Sequence, residues 1–186
     1  LIAGRGEGNG SGRIKIDGGS VISTLLIENT GSPVESLVPA FIWKGTNAYN
    51  TATIKGDSSV GVAYYLGETA TLSTLTIEGS SKVYLGPGCT LSGAIVIQDD
   101  AEVWINSAIS SSVTLKGNAR LTINGTGTVA QLTARNNSYV IYNTTGALGG
   151  ATVLSEDATL DFDQDGRAKT VTNPIERYGN ARILDF

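Results

Sequence analysis

The chain has 186 residues and a mass of 19.2 kDa, enough for one ordinary domain with a core of its own. Lys and Arg total 13 against 17 Asp and Glu, and the formal net charge of −4 offers no basic face to nucleic acid. The complete lack of His excludes triads built on a His base, His proton shuttles and most transition-metal sites.

Gly contributes 24 residues while only 16% of positions are charged and 6% aromatic, a turn-rich and helix-poor composition. The single Cys89 has no intrachain partner, so packing rather than a disulfide must hold the fold, and the residue reads as a small buried hydrophobe. No apolar run approaches the ~18 residues that cross a bilayer, so no membrane insertion is expected, and no basic segment followed by an apolar one opens the chain.

Residues 1–12 run through Gly4-Arg5-Gly6-Glu7-Gly8-Asn9-Gly10-Ser11-Gly12, the composition of a flexible linker, and the start at Leu1 instead of Met leads us to expect a piece of something longer or a processed product. Residues 13–53 carry strand-like runs at Arg13–Ile16, Thr24–Ile27 and Phe41–Trp43, interrupted by Pro33 and Pro39. They read as one or two irregular coils that cap the remainder of the chain.

Residues 54–186 are built on a repeat. Ile54-Lys-Gly-Asp-Ser-Ser-Val60 returns as Ile77-Glu-Gly-Ser-Ser-Lys-Val83, Ile97-Gln-Asp-Asp-Ala-Glu-Val103 and Leu115-Lys-Gly-Asn-Ala-Arg-Leu121. Ala134-Arg-Asn-Asn-Ser-Tyr-Val140 and Leu154-Ser-Glu-Asp-Ala-Thr-Leu160 continue it, and a degraded seventh copy runs through Gly179-Asn-Ala-Arg-Ile183. Starts at 54, 77, 97, 115, 134, 154 and about 177 give spacings of 23, 20, 18, 19, 20 and 23 residues.

Aligned, the copies form columns. Three residues after each start stand Asp57, Ser80, Asp100, Asn118, Asn137, Asp157 and Asn180, short polar side chains suited to a corner of unusual φ/ψ. The next position is always small (Ser58, Ser81, Ala101, Ala119, Ser138, Ala158, Ala181), as a crowded inward bend requires. Two further on, Val60, Val83, Val103, Leu121, Val140, Leu160 and Ile183 are all aliphatic and mark the core. Alternation around the corner, as in Leu75-Thr76-Ile77 and Val103-Trp104-Ile105, marks short strands buried on one face. A third apolar column precedes each next start: Leu72, Leu91, Ile109, Val129, Leu148 and Val171.

Three apolar clusters per ~20 residues describe coils that stack in register at about 4.8 Å, an all-β parallel β-solenoid. Variable spacing favours a single-stranded, right-handed β-helix over the strict hexapeptide arithmetic of left-handed solenoids. About seven coils at that rise make a rod roughly 35 Å long.

Chemistry-bearing residues are few. Asp161, Asp163 and Asp165, followed by Gly166, match the opening of an oxygen-rich calcium loop, and calcium is the one cofactor the sequence suggests. The twelfth position is Thr172 instead of a bidentate Glu, and a solvated acidic corner explains the same residues. Asp99, Asp100, Glu102, Glu156 and Asp157 gather near one corner and would supply the paired carboxylates of a glycosidase, although they also occupy the polar corner column. Tyr84 and Trp104 fall one coil apart in an outward column, with Lys82, Glu102 and Arg120 in the outward column two residues earlier. Exposed aromatics on a flat sheet suit sugar rings or a protein neighbour. Thr53, Thr76, Thr114 and Thr133 form a ladder reminiscent of an ice-binding face, but it breaks at Val96 and Val153, as ordinary strand propensity allows. Sequons at Asn9, Asn124, Asn136 and Asn143 arise readily in turns of this composition.

The stacked phrase resembles the right-handed β-helices of bacteriophage virion proteins, such as tail spikes, and of bacterial surface adhesins. The closing stretch, Leu160–Asn173 followed by Tyr178-Gly-Asn-Ala-Arg-Ile183, looks like the last coils of the phage type. The resemblance covers roughly residues 50–186 and is one of fold; no catalytic residue comes with it. It implies a non-enzymatic structural or adhesive rod on a virion or cell surface, presenting a flat β face to other virion or surface proteins or to surface polysaccharide, and often trimeric. The alternative it implies is a polysaccharide-active domain, hydrolase or lyase, using the acidic corner. An autotransporter-type passenger adhesin is a third reading.

Overall fold

The structure is a computed structural model that describes residues 2–4, 22–28, 30, 41–43, 49–64, 67, 69–125, 127–144, 148, 150–162 and 171–185. From the N-terminus the strands are β1 (Ile2–Gly4), β2 (Ile22–Glu28), β3 (Phe41–Trp43), β4 (Tyr49–Lys55) and β5 (Ser59–Val62). Then come β6 (Ala70–Leu72), β7 (Thr74–Ile77), β8 (Lys82–Leu85), β9 (Cys89–Leu91), β10 (Ile95–Ile97) and β11 (Glu102–Ile105). The long pair β12 (Ala108–Leu115) and β13 (Arg120–Gly125) is followed by β14 (Thr128–Ala134) and β15 (Tyr139–Thr144). The last are β16 (Ala151–Leu154), β17 (Thr159–Phe162), β18 (Ile175–Arg177) and β19 (Arg182–Asp185). No helix occurs among the described residues.

Because each copy of the repeat carries an inward aliphatic at the same two places, consecutive copies bury them by stacking. Sheet 1 has the order β1-β2-β4-β7-β10-β12-β14-β16-β18 and sheet 2 the order β19-β17-β15-β13-β11-β8-β5-β3, every pair parallel. The chain is a parallel β-solenoid. From β4/β5 to β18/β19 seven rungs are separated by six turns of roughly 20 residues, so the repeat starts read from the sequence are the rungs of the stack.

The expected strands at Thr24–Ile27 and Phe41–Trp43 form a further rung in phase with the rest: Ile27 pairs with Ile54, and Trp43 with Val62. Leu25, Ile27 and Trp43 are buried there, which extends the core below the regular repeat. Ile2–Gly4, within the segment read as a linker, pairs with Leu26–Glu28 at the end of sheet 1. The strand expected at Arg13–Ile16 lies outside the described residues.

The corner holds a correction. The residue with positive φ is one position earlier than the sequence suggested: Gly56, Gly79, Asp99, Gly117, Asn136, Glu156 and Gly179 all have φ between 59° and 71°. Four of the seven are glycine, the residue with no Cβ penalty in that region. A side chain at Gly79 would also place its Cβ 2.8 Å from the Gly56 carbonyl oxygen of the rung below. The Asp/Asn column one residue later instead links rungs through side chains. Asn118 Nδ2 donates to Asp100 Oδ1 at 2.8 Å, Asn137 Nδ2 to Asn118 Oδ1 at 3.3 Å, and Asn180 Nδ2 to Asp157 Oδ1 at 3.1 Å. Ladders of this kind stabilise stacked coils because each amide both donates and accepts.

The inward columns behave as read. Ser58, Ser81, Ala101, Ala119, Ser138, Ala158 and Ala181 are buried, and Ser58 and Ser81 donate their hydroxyls to the Lys55 and Glu78 carbonyls at 2.7 and 2.8 Å. Val60, Val83, Val103, Leu121, Val140 and Leu160 are buried above them, and Ile183 packs on the end of the core. A second inward column on sheet 2, from Val62 through Leu85, Ile105, Ile123 and Tyr142 to Phe162, closes the interior, where the Tyr142 and Phe162 rings meet edge to face at 5.8 Å.

The third column pairs in register at three places, only part of it is a sheet, and its last member, Val171, is 43% exposed at the end of the stack, so the buried column stops at Leu148. Leu72 pairs with Leu91 between β6 and β9, Ile109 with Val129 on the extended β12 and β14, and Leu148 with Val171 as a lone bridge. Sheet 1 and sheet 2 are therefore the two continuous surfaces on which side chains can be arrayed.

Candidate functional site on the outer face of sheet 2

Alternation along β8, β11, β13 and β15 sends every second side chain away from the core, and parallel register turns these positions into rows running along the rod. One row is Lys82, Glu102, Arg120 and Tyr139. The next is Tyr84, Trp104, Thr122, Ile141 and Asp161. Tyr84 and Trp104 are thus direct neighbours on adjacent strands, about 4.8 Å apart along the rod, and both are half-buried.

The aromatic pair is braced from the side. Tyr64 meets Tyr84 at right angles, with ring centroids 5.0 Å apart and an interplanar angle of 82°. The Asn106 amide donates to the Tyr84 hydroxyl at 3.2 Å. These contacts fix the Tyr84 ring in one orientation, which lowers the entropy lost when a flat ligand stacks on it.

Asn106 opens a third outward row that sequence reasoning missed. Asn124 and Asn143 stand beside one another on β13 and β15, and Asn106 occupies the equivalent place one rung below, its backbone N–H donating to Leu85 O at 2.9 Å. The signal was legible: each comes directly after the last inward apolar residue of its strand, Ile105, Ile123 or Tyr142. Only the stacking shows that the three amides form one line beside the aromatics.

Of the two cations expected at the face, the structure leaves Lys82 exposed and engages Arg120. The Arg120 guanidinium lies 5.7 Å from the centroid of the Tyr139 ring, and the Tyr139 hydroxyl donates to Asp161 Oδ2 at 2.5 Å. Arg120, Tyr139 and Asp161 form a chain across three rungs, so Arg120 shapes the edge of the platform.

Asp161 is therefore tied into this face by Tyr139, while its Oδ1 is buried with no hydrogen-bond partner. Asp163 and Asp165, the other two members of the calcium expectation, lie outside the described residues. Among the described residues no three carboxylates converge as a metal centre would require.

The acidic corner is a set of inter-rung links. Asp99 Oδ2 accepts from the Gly79 N–H at 3.1 Å and Asn136 Oδ1 from the Gly117 N–H at 3.1 Å, while Asn136 Nδ2 donates to Glu156 Oε2. With Asp100 and Asp157 accepting from Asn118 and Asn180, each of these four carboxylates already has a donor within the stack.

On the opposite face, Thr53, Thr76, Val96, Thr114, Thr133 and Val153 fall in a single row of sheet 1, with the breaks the sequence showed. Cys89 is buried, and desolvation pushes its thiol up to about 12, which makes it a poor nucleophile at neutral pH. No protein-family model, curated protein or solved structure matches this chain.

Proposed function

We propose that the chain is a non-enzymatic structural or adhesive rod of a virion or cell surface that presents the outer face of sheet 2 to a glycan or a protein partner. One observation carries this reading: Tyr84 and Trp104 stand side by side, half-exposed, between a row of amides and a row of charges. Aromatic faces stack on the apolar face of pyranose rings, and amides at their edge satisfy the equatorial hydroxyls. The solenoid suits presentation, because its parallel stack holds the rows rigidly along one axis.

Trp104 provides the test. The other tryptophan, Trp43, is buried at 2% relative exposure, so a change in fluorescence on adding ligand reports on the platform. Titration with a panel of purified bacterial surface polysaccharides is expected to give saturable binding to at least one. Measured by calorimetry, which needs no tryptophan reporter, Trp104→Ala and Tyr84→Ala should each weaken it about tenfold or more, with far-ultraviolet circular dichroism unchanged. Binding that survives both substitutions, or no binding across the panel and to intact bacterial cells, overturns the reading.

A further inference from the structure

The outer face of sheet 1 differs in kind from that of sheet 2. Two neighbouring rows cross it. One runs Thr24, Thr51, Thr74, Ala94, Ser112, Gln131, Ala151 and the other Leu26, Thr53, Thr76, Val96, Thr114, Thr133, Val153. Over these seven rungs neither row carries a charge, and on the eighth strand, β18, the second row ends at the exposed Glu176. The other charges are collected in a third row at the strand ends: Glu28, Lys55, Glu78, Gln98, Lys116, Arg135, Ser155 and Tyr178.

Within that row the lower half is satisfied and Tyr178 at the top donates its hydroxyl to Glu176 Oε2 at 2.9 Å, while the two cations between them are not answered. Lys55 Nζ lies 3.1 Å from Glu28 Oε1, and Gln98 Nε2 donates to Glu78 Oε2 at 2.8 Å. Lys116 and Arg135 are exposed, sit on adjacent rungs, and form no ion pair among the described residues. Like charges in register repel, so this pair stabilises the molecule only when an anion from outside answers it.

A second copy supplies one. Consider a two-fold axis parallel to the strands and midway between β10 and β12, the centre of the eight strands from β2 to β18. The axis lays sheet 1 on sheet 1 with the rods antiparallel and all eight strands overlapped, an aligned sheet packing. In this register Arg135 faces Glu78, Lys116 faces Gln98, Lys55 faces Ser155 and Glu28 faces Tyr178. No like charges meet, and Glu176, held by the Tyr178 hydroxyl at 2.9 Å, faces Leu26 at the edge of the interface. The rows between them oppose Thr76 to Thr133 and Val96 to Thr114. The register that buries the whole face is the one that pairs the charged row.

Eight strands at ~4.8 Å and three outward rows cover roughly 35 by 15 Å, on the order of 1,000 Å² buried by two copies, the lower bound of a specific interface. We infer that this face is the interface of a two-fold, antiparallel dimer of micromolar affinity, leaving both sheet 2 faces outward. The inference does not depend on what sheet 2 contacts.

Sedimentation velocity of the purified chain from about 1 to 100 µM tests it. The mass is expected to rise from 19.2 kDa toward twice that value. Glu78→Arg should weaken association at least about tenfold, and adding Arg135→Glu should restore it to within about threefold. If Glu78→Arg misfolds by circular dichroism, Arg135→Glu alone makes the same test. Lys82→Glu, on sheet 2, should leave the mass unchanged. A monomer throughout, which would assign the Lys116/Arg135 pair to a different partner, a mass near three times the monomer, or a charge swap without rescue each overturns the proposal.

Discussion

The two ways in which the chain passes between its sheets obey different rules. From sheet 1 into sheet 2 the passage is the same at each of the seven rungs from β4/β5 to β18/β19: a residue with φ between 59° and 71°, a polar residue, then a small buried one. From sheet 2 back to sheet 1 nothing is constant. The return forms a short strand in β6 and β9, an extension of β12 and β14 with an irregularity between Ile109 and Ser112, and a single bridge between Leu148 and Val171. All the variation of 18 to 23 residues in the repeat lies in the return. A three-residue corner that turns a side chain into the interior has no room for an extra residue, whereas the longer return, which buries one residue of the apolar column per turn from Leu72 to Leu148, can loop out on either side of it.

The largest expected effect comes from breaking the rigid passage. One Gly inserted between Asn118 and Ala119 shifts every later side chain of β13 by one and turns its core face outward. The loss should exceed about 4 kcal/mol and abolish a cooperative urea transition. By contrast, one Gly inserted after Gly67, in the return, should lower stability by less than about 0.5 kcal/mol in the same assay, because a side chain there meets nothing within 4 Å.

The return is not tolerant everywhere, and Gly150→Ala sharpens the point. The new Cβ would lie 1.5 Å from the Ala130 carbonyl oxygen, so the backbone must move, with a destabilisation of about 3 kcal/mol by chemical denaturation. Cys89, also in the return, gives a pH signature. Burial keeps its proton on up to about 12 in the folded chain, whereas the unfolded chain releases it near 9.0. The unfolded state therefore gains as pH rises between those values, by on the order of 1 kcal/mol per pH unit. Urea midpoints measured across this window should fall less steeply in Cys89→Ala.

The smallest effect should be a gain. Glu156 holds positive φ without glycine, and its carboxylate accepts from Asn136. Glu156→Gly relieves the strain and loses an exposed hydrogen bond, for a net stabilisation of about 0.5 kcal/mol in the denaturation midpoint. A decrease would show that the side-chain ladder outweighs backbone strain at this corner.

Much of the fold was legible because a solenoid repeats its physics. Each rung must bury the same positions, so Val60, Val83 and Val103 betray their column without any knowledge of the third dimension. The corner was misplaced by one residue because both candidate columns are rich in residues that tolerate positive φ. The four glycines at 56, 79, 117 and 179 were the better guide, since only they remove the Cβ altogether. The candidate site was legible in part. Tyr84 and Trp104 could be paired by counting, while the bracing by Tyr64 and Asn106 and the capture of Arg120 by Tyr139 could not.

By itself the sequence determined the phase of the rungs, the identity of the core and the division of side chains into inward and outward, because periodic burial leaves a periodic record. Tertiary structure decided which outward residues touch. Whether Arg120 reaches a ligand or the Tyr139 ring, and whether Lys116 and Arg135 find a carboxylate, depends on side-chain directions between rungs about 4.8 Å apart. Contacts of that kind are set by the stacking of one coil on the next.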